Sequence, residues 1–101
     1  MPRVSLVFHP DAAAEYAEAY RRYAERSADI AATFTEEISR ALRLVRQTPE
    51  RWPRYSARHR RILVRRFPYS VVYLITPERI WIVAVAHARR RPGYWRARRP
   101  G

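Results

Sequence analysis

The sequence has no cysteine, no lysine and only two glycines among its 101 residues. Without cysteine the chain cannot form a disulfide framework or a thiolate metal site, and its composition is compatible with a reducing cytoplasm. Two glycines are too few for a glycine-rich phosphate-binding loop. No apolar run approaches the roughly 20 residues that span a bilayer, and the N-terminus lacks a signal-peptide core. We therefore expect a soluble, cytoplasmic protein without membrane contacts.

Acidic residues are almost missing from the second half of the chain. Residues 1–50 contain seven arginines and eight acidic residues, whereas residues 51–101 contain fourteen arginines and one acid, Glu78. Codon preference can explain the use of arginine in place of lysine, but it does not explain why acids avoid one half. A one-sided positive field predicts an anionic partner, either nucleic acid or an acidic protein. A merely solvated basic surface is the alternative.

Three strand-like segments follow one another in this basic half, at residues 60–66, 69–76 and 79–87. Pro68 separates the first two because proline cannot donate to a strand ladder, and a turn at Thr76-Pro77-Glu78 separates the last two. The second and third segments are apolar on both faces, which is typical of central strands that are covered on both sides. The pattern predicts an antiparallel meander.

The first half predicts a short strand at residues 3–8 and then two helices. The first helix begins at Pro10, the chain breaks at Ser27-Ala28-Asp29, and the second helix ends near Gln47. The predicted buried stripes are Ala13, Tyr16, Ala17, Tyr20 and Ala24, and then Ile30, Ala31, Phe34, Ile38, Leu42 and Val45, with Glu36, Glu37, Arg40 and Arg43 outside. Such a hairpin would cover one face of the sheet. We predict a single α+β domain over residues 1–101, in which the N-terminal strand and an antiparallel two-helix hairpin accompany an antiparallel β-sheet, with a basic tail at 88–101.

Aromatic residues in the loop and the tail suggest how the rest of the chain attaches. Trp52 lies in a loop at residues 48–59, and we interpret it as a structural anchor. In the tail, arginines surround Tyr94 and Trp95. Arginines interleaved with aromatic rings can bind phosphates and stack on bases. Alternatively, the two rings dock on the open face of the sheet. We favour docking for Trp95 and leave Tyr94 open.

The chain offers few groups for chemistry. Its three histidines, His9, His59 and His87, lack metal-ligand spacing, and no motif indicates a metal or a cofactor. If the chain is an enzyme, it cleaves phosphodiesters without metal, with arginine stabilising the developing charge and His or Tyr moving the proton. The candidate catalytic residues are His87, Tyr94, Arg65 and Arg61. The candidate residues for binding nucleic acid or another target are Arg60, Arg61, Arg65, Arg89, Arg90, Arg91, Trp95 and Arg96.

Two blocks carry a family resemblance. They are Arg65-Arg66-Phe67-Pro68-Tyr69 and the ending His87-Ala88-Arg89-Arg90-Arg91-Pro92-Gly93-Tyr94-Trp95. With the order strand, helix hairpin and meander, they resemble the RelE/ParE family of type II toxin-antitoxin toxins. The resemblance implies a microbial RNase-like fold, growth arrest by the chain alone, a role in plasmid stabilisation, and a hetero-oligomer with a cognate acidic antitoxin.

The resemblance leaves the target open, because the ParE-like branch of this family poisons DNA gyrase and the RelE-like branch cuts mRNA on the ribosome. The chain resembles the ribonuclease branch at Arg61, Arg65 and Tyr94. It departs at Ser70, where some ribonuclease members have a phosphate-binding arginine. We therefore expect gyrase as the target, with ribosome-dependent mRNA cleavage as the alternative. A non-toxic nucleic-acid-binding module is the competing class of function.

Overall fold

The computed structural model describes residues 5–100, and within them it contains the predicted helices and strands. In chain order these are β1 (Ser5–Phe8), α1 (Pro10–Arg26), α2 (Ala28–Gln47), β2 (His59–Leu63), β3 (Tyr69–Ile75) and β4 (Arg79–His87). The predicted start of the first strand at Arg3 and Val4 lies outside the described residues. β2 ends at Leu63 rather than at residue 66, because the chain reverses at Arg66, which has a positive φ of 71°. Within residues 5–100, neither helix is long and apolar enough to cross a membrane.

The four strands form one sheet in the order β1-β4-β3-β2. The antiparallel meander of β2, β3 and β4 is confirmed. The expectation of a purely antiparallel sheet is wrong, because β1 pairs with β4 in parallel and the sheet is mixed. A parallel neighbour needs a crossover connection, and here the helix hairpin lies within that connection. One face of the sheet is thereby covered by the element that links β1 to the meander.

The helix hairpin turns at Ser27, which ends α1 and caps α2. Its hydroxyl accepts hydrogen bonds from the amides of Asp29 (3.1 Å) and Ile30 (3.3 Å), which is the geometry of an N-terminal helix cap. At the start of α1, His9 Nδ1 accepts from the amide of Asp11 at 3.0 Å. The N-terminus of each helix is therefore capped by a side chain, and Ser27 alone separates the two helices.

The buried face of α1 differs from the predicted stripe. Ala12 and Ala19 are fully buried, with Tyr16 and Tyr23 packed beside them, whereas Tyr20 is 43% exposed. Because alanine occurs around the whole circumference of this helix, its spacing fits several faces. The buried face is set by aromatic packing against α2, in which the rings of Tyr16 and Tyr23 lie 5.9 and 5.0 Å from the ring of Phe34.

The stripe of α2 is confirmed at its centre and wrong at two other positions. Phe34, Ile38 and Val45 are completely buried, but Ile30 at the start of the helix is 40% exposed. Glu37, predicted to lie outside, is 8% exposed. Its carboxylate lies 3.6 Å from the guanidinium of Arg65, in the segment that follows β2. The segment after β2 therefore packs against α2 and helps to cover Glu37.

The other face of the sheet is covered by the C-terminal tail. Trp95 is 1% exposed and packs with Val72, Leu74 and Val83. Its ring lies 4.5 Å from the ring of His59. Burial lowers the pKa of His59, and the charges of nearby arginines lower it further, so the neutral imidazole is favoured against the indole. The tail therefore supplies the second layer that the doubly apolar strands require.

The loop between α2 and β2 is attached by backbone contacts as well as by its aromatic ring. The indole of Trp52 packs against the helix-side core, and its Nε1 donates to the carbonyl of Leu44 at 3.5 Å. The guanidinium of Arg60 donates to the carbonyls of Glu50 (3.0 Å) and Trp52 (2.7 Å). Trp52 is therefore an anchor, and Arg60, predicted as a target-binding residue, holds the loop in place.

Replacement of the tail indole should reveal how much the second layer contributes to stability. We expect Trp95→Ala to lower the free energy of unfolding by about 3–5 kcal/mol, because it leaves a large cavity against the sheet. Leu63→Ala is the matched control, since Leu63 is 69% exposed, and it should change stability by no more than about 0.5 kcal/mol. Urea denaturation measures both. Equal losses in the two variants would contradict the docking of the tail.

Candidate functional site

A wide groove lies between α1 and the end of β4. We call it the edge groove; it has a volume of about 930 Å³. Arginines and glutamates of α1 form one wall, the chain after β4 forms the other, and Tyr69, Val85 and His87 lie between them. The lining residues are Ala14, Glu15, Glu18, Arg21, Arg22, Tyr23, Glu25, Arg26, Tyr69, Val85, His87, Arg89, Arg90 and Tyr94. The groove brings together four of the predicted site residues.

His87 is the last residue of β4 and is half-buried in this groove. Its ring stands edge-on to the ring of Tyr69, with 5.0 Å between the centroids. The Nδ1 atom accepts a hydrogen bond from the amide of Arg89 at 3.0 Å. A neutral imidazole that accepts at Nδ1 carries its proton on Nε2. Nε2 is therefore the nitrogen with which His87 can donate a hydrogen bond or a proton.

Tyr94 also lines the groove, but its hydroxyl is occupied. It donates to Glu15 Oε2 at 2.6 Å, and the guanidinium of Arg90 lies 3.8 Å from the centre of its ring. Burial raises the pKa of Tyr94 well above its ordinary value, and the hydrogen bond to the Glu15 carboxylate raises it further. Tyr94 consequently holds its proton, and its hydroxyl serves as a link to α1.

Glu15 accepts four hydrogen bonds, which join three parts of the fold. Besides Tyr94, it accepts from both terminal nitrogens of Arg98 at 3.0 Å and from the backbone amide of Val85 at 3.0 Å. The guanidinium of Arg98 also donates to the carbonyl of Val83 at 2.9 Å. We call Glu15, Tyr94 and Arg98 the Glu15 junction. It ties α1, β4 and the tail together through one carboxylate.

The junction is shielded from water, which strengthens its charge interactions. The side chains of Glu15 and Arg98 are only 16% and 15% exposed. Burial lowers the pKa of Arg98, but the hydrogen bonds and the charge of Glu15 outweigh it, so the pKa lies above its ordinary value. This arginine is therefore a structural cation and not part of the basic surface.

The other predicted arginines lie at different places. Arg89 and Arg90 line the edge groove with His87, whereas Arg91 and Arg96 are exposed outside it. The guanidinium of Arg61, on β2, lies 4.0 Å from the centre of the ring of Tyr55. The predicted constellation is thus divided, with His87 and Tyr94 in one groove and Arg61 and Arg65 elsewhere.

Two further predicted positions face the covered side of the sheet. Ser70 is 9% exposed and pairs with Leu63 and Ala86 in neighbouring strands. Trp95 contacts protein on that side, so in this structure its ring is not available to stack on a base. Among residues 5–100, no group of three His, Asp or Glu side chains is arranged to hold a metal ion.

Sequence reasoning missed the central residue of the site. From its place near the start of α1, Glu15 is expected only to be an acid that suits the positive end of a helix. Its partners lie 70 to 83 residues away in the sequence, so no local spacing could identify them. The one indication in the sequence is that Glu15 is a charged residue among alanines and tyrosines, which are the residues of the apolar face of this helix. Nothing in the sequence of the tail distinguishes Arg98 from its exposed arginines.

Removing the charge of Glu15 should destabilise the protein. We expect Glu15→Gln to lower the free energy of unfolding by about 1–3 kcal/mol, because the partly buried guanidinium of Arg98 keeps only the exposed carboxylate of Asp11, 3.6 Å from its Nε, as a counter-charge. Glu18→Gln is the matched control: this side chain is 53% exposed and pairs with Arg21, so the loss should stay below about 1 kcal/mol. Adding Arg98→Met to Glu15→Gln should recover part of the loss. Equal effects of the two glutamate substitutions in chemical denaturation would refute the junction.

Comparisons with known proteins give a family by sequence and a similar fold by structure. Residues 6–92 match the family model described as ParE toxin of type II toxin-antitoxin system, parDE. A solved structure titled chromosomal ParDE TA system from P. aeruginosa contains a chain with a TM-score of 0.74 and 20% identity, over 84% of this chain and 96% of that one, which supports the fold. No curated protein matches. The family model extends through the end of β4 but stops before Tyr94. The chain belongs to the ParE toxin family of type II toxin-antitoxin systems.

Proposed function

We propose that this toxin acts on DNA gyrase and is neutralised by a cognate acidic antitoxin. The observation that carries the choice of gyrase is the division of the predicted catalytic residues. A ribonuclease without metal needs charge stabilisation and a proton carrier beside the same phosphate. Here Arg65 contacts Glu37, Arg61 lies over Tyr55, and both are outside the groove that holds His87.

The state of Tyr94 supports the same choice. Its hydroxyl is bound to Glu15 and its pKa is raised, so it is a poor proton acceptor at neutral pH. At Ser70, where some ribonuclease members have an arginine, the chain has a nearly buried hydroxyl. Membership in the ParE toxin family favours the same target, because the ParE-like branch of the RelE/ParE family poisons gyrase.

A second candidate function is mRNA cleavage on the ribosome. It is favoured by one observation, which is that His87 shares the edge groove with Arg89 and Arg90. In this arrangement Nε2 of His87 would move the proton, and Arg90 would stabilise the charge that develops on the phosphate. Tyr94 would then act only by holding the chain after β4 in position.

The charge distribution supports an acidic antitoxin. Of the fourteen arginines in residues 51–101, all but Arg60, Arg61 and Arg98 are exposed. These exposed charges should accelerate association, while buried apolar anchors should keep the complex together. Raising the salt concentration should therefore slow association more than it accelerates dissociation.

Growth arrest is the first test of the toxin. Induction of the chain in a bacterial host should stop colony formation, and co-expression of the antitoxin from the same locus should restore it. The control is the same plasmid with a stop codon at Leu6. Normal colony numbers despite soluble expression would refute the toxin assignment for this chain and favour a non-toxic nucleic-acid-binding module.

The target is tested with purified components. We expect cleaved gyrase–DNA complexes to accumulate on supercoiled plasmid, and mRNA on translating ribosomes to stay intact. Because His87 has no proton-transfer role in gyrase inhibition, His87→Gln should change that activity by less than about threefold, whereas loss of a general acid or base costs on the order of 10² to 10⁴ in rate. His9→Gln is the matched control. Ribosome-dependent cleavage that is lost only in His87→Gln would overturn gyrase as the target.

A further inference from the structure

A second pocket, which shares no residue with the edge groove, lies beside the loop between α2 and β2. We call it the arginine pocket; it has a volume of about 300 Å³. A pocket of this size fits a small chemical group and not an extended chain. Three arginines, one glutamate and two apolar residues line it: Glu50, Arg54, Ala57, Arg58, Arg60 and Ile75. The proposed function assigns no role to this pocket.

The turn that carries the arginines is held by its own hydrogen bonds. Arg54 forms an antiparallel bridge with Arg60. The amide of Tyr55 donates to the carbonyl of His59 at 2.8 Å, and the hydroxyl of Ser56 accepts from the amide of His59 at 3.2 Å. The backbone of the pocket is therefore fixed before a ligand binds, which reduces the ordering cost of binding.

Two of the three guanidinium groups are oriented by backbone carbonyls. Nη1 of Arg60 donates to the carbonyls of Glu50 (3.0 Å) and Trp52 (2.7 Å). Nη1 of Arg54 donates to the carbonyl of Ala57 at 3.2 Å. A carbonyl orients a guanidinium without neutralising it, and each guanidinium has five N–H donors. Donors on Nε and Nη2 of both arginines therefore remain for a ligand.

The positive charge of the arginine pocket is not neutralised by the protein. Within the described part of the chain, no carboxylate lies within 4.0 Å of a side-chain nitrogen of Arg54, Arg58 or Arg60. This includes the carboxylate of Glu50 in the same pocket. In the edge groove, by contrast, an arginine and a glutamate of α1 pair at 2.6 Å. Three arginines and one glutamate give the arginine pocket a formal excess of two positive charges.

Three converging arginines fit a phosphate better than a carboxylate. A carboxylate has two oxygens in one plane, which matches the fork of a single guanidinium. A phosphate monoester has three acceptor oxygens arranged around phosphorus, so it can accept from several guanidinium groups at once. Its charge of about −1.5 to −2 at neutral pH also balances the excess of the pocket. A phosphodiester inside a nucleic-acid strand has one charge and needs a groove through which the strand enters and leaves.

We propose that the arginine pocket binds a phosphate monoester, such as the terminal phosphate of a nucleotide or of a nucleic-acid strand. The phosphate oxygens accept from the guanidinium of Arg58 and from the free donors of Arg54 and Arg60. The side chain of Ile75, which is 37% exposed at the pocket, contacts the organic group that carries the phosphate.

Arg58 is the position to change in a test. It is exposed, and within residues 5–100 its side chain makes no hydrogen bond and no ion pair, so its substitution leaves the turn intact. Arg60 is unsuitable, because its guanidinium holds the loop at Glu50 and Trp52. Arg43, an exposed arginine on α2 outside both pockets, provides the matched control.

The test uses the full chain, labelled with ¹⁵N in cell-free synthesis, and inorganic phosphate at constant ionic strength. We expect phosphate to shift the side-chain Nε–H resonances of Arg54, Arg58 and Arg60. Arg58→Gln should weaken binding by at least about fivefold, because it removes charge-assisted hydrogen bonds. Arg58→Lys should recover only part of the loss, since an ammonium lacks the planar pair of donors. Arg43→Gln should leave the affinity unchanged.

Short oligothymidylates identify the source of the phosphate. A strand with a 5′-terminal phosphate should bind at least about fivefold more tightly than the same strand with a 5′-hydroxyl, and inorganic phosphate should displace it. Thymidine 5′-monophosphate is the third probe: equal binding of nucleotide and phosphorylated strand assigns the pocket to nucleotides, and tighter binding of the strand assigns it to strand ends.

Four results would overturn the proposal. They are equal affinity of the strands with and without the terminal phosphate, shifts spread over arginines outside the pocket, unchanged affinity in Arg58→Gln, and displacement of phosphate by a capped glutamate peptide at equal concentration. The last result would assign the pocket to an acidic protein.

The outcome is independent of the growth assay. A chain that arrests growth but shows no phosphate-dependent shift at Arg58 refutes the phosphate site and leaves the proposed function intact. A chain that binds phosphate there but does not arrest growth has the opposite result, in which the phosphate site stands and the toxin assignment falls.

Discussion

The structure depends on one partly buried carboxylate. Glu15 projects from α1 and accepts hydrogen bonds from β4 and from two residues of the tail. The tail in turn covers one face of the sheet through Trp95. Without the charge of Glu15, the partly buried guanidinium of Arg98 would keep only the exposed carboxylate of Asp11 as a partner, in the same region that closes this face. The attachment of the tail, the covering of the sheet and the shape of the edge groove therefore depend on the same contact.

This arrangement also explains how a strongly basic half can be part of a small stable domain. Self-repulsion of a large net charge opposes compaction. The structure places acids of the first half against arginines of the second: Glu15 meets Arg98, and Glu37 meets Arg65. Most of the remaining arginines of that half are exposed and available to a partner. Acids of the first half thus neutralise some arginines of the second half within the fold, and the remaining positive charge lies on the surface.

The sequence predicted the parts of the fold that local patterns determine. β-branched and aromatic residues predicted β3 and β4, and the break at Ser27 predicted the turn between the helices. Strands that are apolar on both faces need a cover on each side, which favoured the docking of Trp95. The parallel pairing of β1 was missed because a strand of four residues carries no pattern that specifies which strand it pairs with, or in which direction. The face of α1 was misjudged because alanine fits every side of a helix. The candidate site was only half predicted, since the partners of Glu15 and Arg65 are set by tertiary packing.

Our account makes Glu15 the central contact: it bonds the amide of Val85 at the outer edge of β4, whereas the amide of His87 at the same edge has no hydrogen-bond partner among residues 5–100. Amide hydrogen exchange of the free protein tests this most directly, because protection reports whether each amide is hydrogen-bonded. We predict that the Val85 amide is protected like those of the central strands, and that the His87 amide exchanges faster than that of Val85 by orders of magnitude. Rapid exchange at Val85, or equal protection at both amides, would contradict the account.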